Sequence, residues 1–153
     1  MDLHDHVTIA ASPATVWALV GDLTRMAEWS PQVDSTRLSD AGTTAEGTRF
    51  TNRNVHGELA WITHGEVVRH EPERHLAFRI EENWAVWSFA LEPAADGGTV
   101  LHQRRTTPEG ISPLSLELTE GYLGGLDAFT DTLRTGMRTT LAGIKASAEG
   151  APR

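Results

Sequence analysis

Cysteine is absent from the 153 residues. That removes disulfide frameworks, thiolate nucleophiles and cysteine-built zinc or iron–sulfur centres, and it suits a reducing compartment. Positive charge is scarce as well: 13 lysines and arginines stand against 21 aspartates and glutamates, a net charge of −8. A surface this acidic repels a phosphate backbone, so neither nucleic acid nor an anionic membrane is expected as a partner. Long hydrophobic runs are missing too. No uncharged stretch approaches the roughly 20 residues of a membrane span, and the longest is broken by Pro13. Met1 to Ala10 alternates charged and apolar residues where a signal peptide needs a basic start and an apolar run. The expectation is a cytoplasmic protein without membrane insertion.

Several reaction signatures are missing in the same way. The seven histidines include no HExxH and no i, i+4 pair on a predicted helix, and His64, His70 and His75 straddle a turn at Glu71-Pro72, so no metal site is expected. There is no G-x-S-x-G elbow, and Ser112 and Ser115 fall in a Pro-interrupted loop. Gly124-Gly125 lacks the preceding strand and lysine of a phosphate loop. No cofactor is called for.

What remains is ordinary globular composition, 39% hydrophobic and 22% charged, enough for one core. A single domain over residues 1–147 is expected, with 148–153 as a frayed tail of small and polar residues. His6 to Ala10 alternates as a strand. Ser12-Pro13 then caps and opens a helix over Ala14 to Val20. Asp22 caps a second short helix through Met26 to Trp29, ended by Ser30-Pro31. From Val33 to Thr107 the period is two, with breaks at Asp40-Ala41-Gly42, His56-Gly57, Glu71-Pro72-Glu73, Glu82-Asn83 and Ala95-Asp96-Gly97-Gly98. Such short turns demand antiparallel pairing, since a parallel return needs a dozen or more residues. Leu126, Phe129, Leu133, Met137, Leu141 and Ile144, at steps of three and four, predict a long amphipathic helix. Its apolar stripe has one large surface to cover, the concave face of the twisted sheet. The class is α+β: a curved antiparallel sheet of about seven strands wrapped around a C-terminal helix, with two short helices after strand one.

The run Val16-Trp17-Ala18-Leu19-Val20-Gly21-Asp22 followed by Arg25-Met26-Ala27-Glu28-Trp29-Ser30-Pro31, then Gly47-Thr48-Arg49-Phe50, Trp61 and Glu71-Pro72, resembles the polyketide cyclase/dehydrase branch of the START-related, birch-pollen-allergen-like superfamily (SRPBCC), especially its small actinobacterial members. Trp87-Ser88-Phe89-Ala90-Leu91-Glu92-Pro93 with Gly97-Gly98-Thr99, and Gly136-Met137-Arg138-Thr139-Thr140-Leu141, extend the likeness over nearly the whole chain. The resemblance implies a helix-grip fold with a cavity between sheet and helix. It implies either a binder of apolar, polyketide- or lipid-like molecules or an aromatase/cyclase or dehydratase acting on one. A third implied role is the non-catalytic interaction module of some superfamily members. A monomer or homodimer is expected.

Strand parity names the inward residues independently, because side chains two apart share a face. They are Phe50, Asn52 and Asn54; Trp61, Thr63, Gly65 and Val67; Leu76, Phe78 and Ile80; Trp87, Phe89 and Leu91; and Leu101, Gln103 and Arg105. Of these, Phe50, Asn52, Asn54, Trp61, Thr63, Phe78, Trp87, Phe89, Leu101 and Gln103, with Leu126, Phe129, Leu133 and Met137 of the helix, are the candidate ligand contacts. An aromatic and aliphatic lining with a few neutral amides and hydroxyls suits an apolar ligand bearing some oxygens. Arg105 is the one ionisable side chain that parity turns inward, able to stabilise an enolate but a poor base. His64, Arg79 and His102 share the outward parity of the other strand charges and reach the interior only if a β-bulge reverses their register, which leaves His64 and Arg79 as secondary catalytic candidates. Asp22 to Pro31 is read as structural, with Met26 and Trp29 packing the short helices on the sheet edge, and residues 110–125 as a gate to the cavity.

Overall fold

Alternation of buried and exposed side chains is clearest in the last strand, where Thr99, Leu101, Gln103 and Arg105 are buried and the residues between them are not. The same period runs through its neighbours and gives the sheet one inward and one outward face. The computed structural model describes residues 2–39, 44–110, 112–113 and 126–150. The elements in chain order are β1 (Leu3–Ile9), α1 (Pro13–Val20), a 3-10 helix (Leu23–Glu28), β2 (Val33–Leu38), β3 (Arg49–His56), β4 (Leu59–Glu71), β5 (His75–Ile80), β6 (Val86–Pro93), β7 (Thr99–Thr106) and α2 (Leu126–Glu149). This is the helix-grip architecture: a seven-stranded sheet in the order β1-β7-β6-β5-β4-β3-β2. Every pair is antiparallel. The meander from β2 to β7 follows from short turns, and β1 adds beyond β7 with Leu3 opposite Arg105 and Ile9 opposite Thr99.

Local chemistry sets the two short helices. Ser12 accepts the Thr15 N–H at the start of α1, with Pro13 in its first turn. Asp22 Oδ1 accepts the Thr24 N–H at 3.0 Å. The second short helix, expected after that cap, is a 3-10 turn that ends before Trp29. Trp29 is buried, and α2 closes onto it because position 143 is glycine: a Cβ there would lie 2.9 Å from Trp29 Cβ.

Ile9, Val16, Leu23, Leu76, Leu101 and Ile144 are fully buried in the main core. Each such side chain stabilises the fold by about 1.5–3 kcal/mol relative to exposure. The helix does not fray from residue 148. Ala148 packs in the core, the Glu149 carboxylate accepts the Ala10 N–H at 2.8 Å, and Lys145 Nζ donates to Thr8 O at 2.8 Å, so the last turn is tied to β1. Among the described residues no helix is long and apolar enough to cross a membrane.

Candidate ligand-binding cavity

Inward parity from five strands and the N-terminal half of α2 meet around a cavity of about 510 Å³. β3 supplies Asn52 and Asn54, β4 Trp61 and Thr63, β5 Phe78 and Ile80, β6 Trp87, and β7 Gln103 and Arg105; the helix supplies Phe129, Leu133 and Met137. Phe50, Phe89 and Leu101 share the inward face but do not line the cavity; they belong to the sealed core. The reason is position along the strand, which parity does not encode. Phe50 meets Phe78 edge-on with ring centroids 5.4 Å apart. Its ring occupies the space left by Gly65 on the facing strand, where a Cβ would come within 2.3 Å of Phe50 Cζ. Leu126 opens α2, but its side chain, like most of the proposed gate at residues 110–125, lies outside the described residues.

Part of the wall is unforeseen. Met26, Ser30, Pro31, Gln32 and Val33 face the cavity from the connection into β2, so the stretch read as purely structural is also lining, while Trp29 packs in the core. Thr132, Gly136 and Thr140 also line it. These recur every four residues beside Phe129, Leu133 and Met137, a second stripe on α2 of small side chains. That spacing is legible in the sequence. Glu82 and Asn83 enter from the β5–β6 turn, where Trp84 holds a positive φ of 62° that bulky residues rarely adopt.

The amides are braced across strands. Thr36 Oγ1 donates to Asn52 Oδ1 at 2.7 Å, and Asn54 Nδ2 donates to Thr63 Oγ1 at 2.9 Å. Arg105 is different. It is 3% exposed, no carboxylate among the described residues pairs with it, and its Nε has no acceptor. Its guanidinium carbon lies 5.7 Å from the Trp87 ring centre and 5.8 Å from that of Phe129, a cation between two π faces. Burial pushes its pKa down to about 10, so the charge is present at neutral pH. Two residues earlier on the same face, Gln103 Oε1 is buried without a donor. The site therefore offers an unsatisfied cationic donor and an unsatisfied neutral acceptor in an aromatic enclosure.

The other two catalytic candidates remain outside. His64 is exposed, and Glu82 accepts from both its backbone N–H (2.7 Å) and its Nδ1 (2.6 Å). The hydrogen bond to Glu82 raises the His64 pKa. Arg79 donates to Glu109 at 2.6 Å on the outer face. β4 does carry a bulge, between Val67 and Arg69, but it falls beyond His64 and leaves that side chain's parity unchanged.

The profile of the family described as polyketide cyclase/dehydrase and lipid transport matches residues 2–149. No curated protein matches the chain. A Polyketide_cyc-like protein from Corynebacterium glutamicum, solved by solution NMR, is 29% identical with a TM-score of 0.59, over 94% of this chain and 88% of that one. The di-domain ARO/CYC StfQ of the steffimycin biosynthetic pathway superposes with a TM-score of 0.76 at 18% identity, over 97% of this chain and 50% of that protein. The Aha1 dimer from Colwellia psychrerythraea gives 0.64 at 15% identity, over 98% and 97% of the two chains. At such identities the last two share the fold alone.

Proposed function

Because the chain belongs to the polyketide cyclase/dehydrase and lipid-transport family, we propose that it binds a mainly apolar, partly oxygenated small molecule of polyketide or lipid type between the sheet and α2. The observation that carries this reading is the unpaired, buried Arg105 beside the unfilled acceptor of Gln103. A buried charge without a partner is costly to the ligand-free fold. A ligand carbonyl or carboxylate oxygen on Arg105, with a hydroxyl or N–H of the same molecule on Gln103, would relieve both groups. Trp61, Phe78, Trp87 and Phe129 supply faces for a planar or aliphatic body.

A second reading, an aromatase/cyclase or dehydratase, draws on one further observation: Glu82 is a lining carboxylate, held in place by His64. In that reading Glu82 takes the proton from a carbon next to a ketone, and Arg105 stabilises the enolate oxygen.

Native mass spectrometry of the detergent-free protein against its denatured mass tests binding. An adduct that leaves on unfolding is expected, and Arg105→Met should weaken it about 10–150-fold, the worth of a charge-assisted hydrogen bond. Gln103→Ala and Asn54→Ala should weaken it less. An adduct indifferent to Arg105→Met would overturn the site; consumption of a poly-ketone substrate that stops in Glu82→Gln while binding persists would select the enzyme.

A further inference from the structure

The outer face of the sheet carries a second gathering of side chains. His4 and His6 stand two apart on β1 and share a face, and His102 of β7 lies directly opposite His6 in the register. On β7 the cavity takes Gln103 and Arg105, so His102, of opposite parity, projects away from it. The three rings lie with centroids 5.3, 5.6 and 5.9 Å apart. His4 Nε2 is 3.0 Å from His102 Nδ1, and one ring nitrogen from each residue falls within 4.8 Å of the others. A tetrahedral zinc with Zn–N bonds of about 2.0–2.1 Å spaces its nitrogens roughly 3.3 Å apart. The His4–His102 pair is thus already near ligand spacing, and the exposed His6 ring closes the remainder by rotating about its side-chain bonds.

An independent contact orients the central ligand. Nε2 of His102 lies 3.2 Å from Glu92 Oε1. A proton held on Nε2 by that carboxylate leaves the Nδ1 lone pair, the one facing His4, free to coordinate. Carboxylate, histidine and metal recur in this order in metal sites, where the carboxylate fixes the tautomer and raises ligand basicity. The charge balance on this face is mixed. Arg104 opposes a bound cation, and Glu92 favours it.

We propose that His4, His6 and His102 bind a single divalent transition-metal ion of the zinc class, with Glu92 as the positioning residue of His102. Three imidazoles without thiolate suit zinc, nickel or copper and leave at least one coordination position for water. The ion would staple the edge strand β1 to β7, on whose opposite face Gln103 and Arg105 meet the cavity. Linear spacing hides this site, because its third ligand arrives only through the pairing of strands 96 residues apart.

The test is calorimetric titration of zinc chloride into the full chain, free of any affinity tag and stripped of metal by chelator, with melting temperature read in parallel. One ion per chain and a rise in melting temperature are expected. Affinity should fall as the pH is lowered, because protons compete with the ion for the imidazole nitrogens. His102→Gln and His6→Gln should abolish binding with unchanged circular dichroism, and Glu92→Gln should weaken it about 10–100-fold. His56→Gln, on the β3–β4 hairpin, should bind as the parent does. Zinc binding that survives both His102→Gln and His6→Gln, or the absence of heat and melting shift at every zinc concentration that keeps the protein dissolved, would overturn the proposal.

Discussion

Along β3, Phe50 is sealed in the core while Asn52 and Asn54 face the cavity; along β7 the same step separates Leu101 from Gln103 and Arg105. β4 and β6 run the other way, and in them the order reverses: Trp61 and Thr63 precede Val67, and Trp87 precedes Phe89. α2 repeats it, with Phe129, Leu133 and Met137 over the cavity and Leu141 and Ile144 over the core. One concave face is therefore divided into a dry, filled end and an open end edged with amides and a cation. Parity selects the face, and position along the strand selects the end. Filling serves stability at one end, and unfilled volume with unmet hydrogen bonds serves recognition at the other.

Truncation of one large ring at each end is the strongest way to break this contrast. Phe89→Ala, at a residue 1% exposed, should cost about 3–5 kcal/mol by urea unfolding, since it opens a void in a filled region. Trp61→Ala removes a ring whose neighbour is already empty space and should cost less than half as much. Equal losses would mean that the two ends are packed alike.

A change of sign is the next effect in size. Arg105→Met should stabilise the ligand-free protein by about 1–2 kcal/mol, because it replaces an unpaired buried charge with apolar volume. Burial lowers the folded-state pKa of Arg105 to about 10, so the fold disfavours the charged form. The penalty is complete at neutral pH, where both folded and unfolded states are protonated. It is relieved as pH rises through about 10 toward the ordinary arginine range. A drop in melting temperature for Arg105→Met would show the guanidinium to be satisfied already.

The smallest effect sharpens the boundary at the rim. Glu82 faces the cavity yet holds the solvent-exposed His64. Its hydrogen bond raises the His64 pKa, so the contact contributes stability below the ordinary value of about 6.5 and loses it as pH climbs through the raised one. NMR titration should show the His64 midpoint fall back in Glu82→Gln. An unmoved midpoint would remove the contact and with it the support for Glu82 at the wall.

The order of elements was legible because each rests on a local rule: period two for six strands, steps of three and four for α2, and the Ser12-Pro13 and Asp22 caps. The cavity face was legible as far as parity reaches, and Trp61, Phe78 and Arg105 all lie on it. Parity groups Phe50, Phe89 and Leu101 with the cavity residues, because a period carries no information on depth. Met26, Ser30 and Pro31 lie beyond the reach of parity, because a connection between helix and strand has no period to read. The helix end at Glu149 depended on contacts with Thr8 and Ala10, from the opposite end of the chain. His4 and His6 were visible as a pair, but strand pairing was needed to bring His102 to them.

Gly65 leaves vacant the space that the Phe50 ring fills, with no room for even a methyl group at that position. The packing of the filled end is consequently written at two positions on neighbouring strands rather than one. A lineage that shrank residue 50 would free residue 65 to grow, while one that enlarged residue 65 first would displace the ring. Descent through the family should pass these two positions on as a pair, each restricting which changes the other can survive.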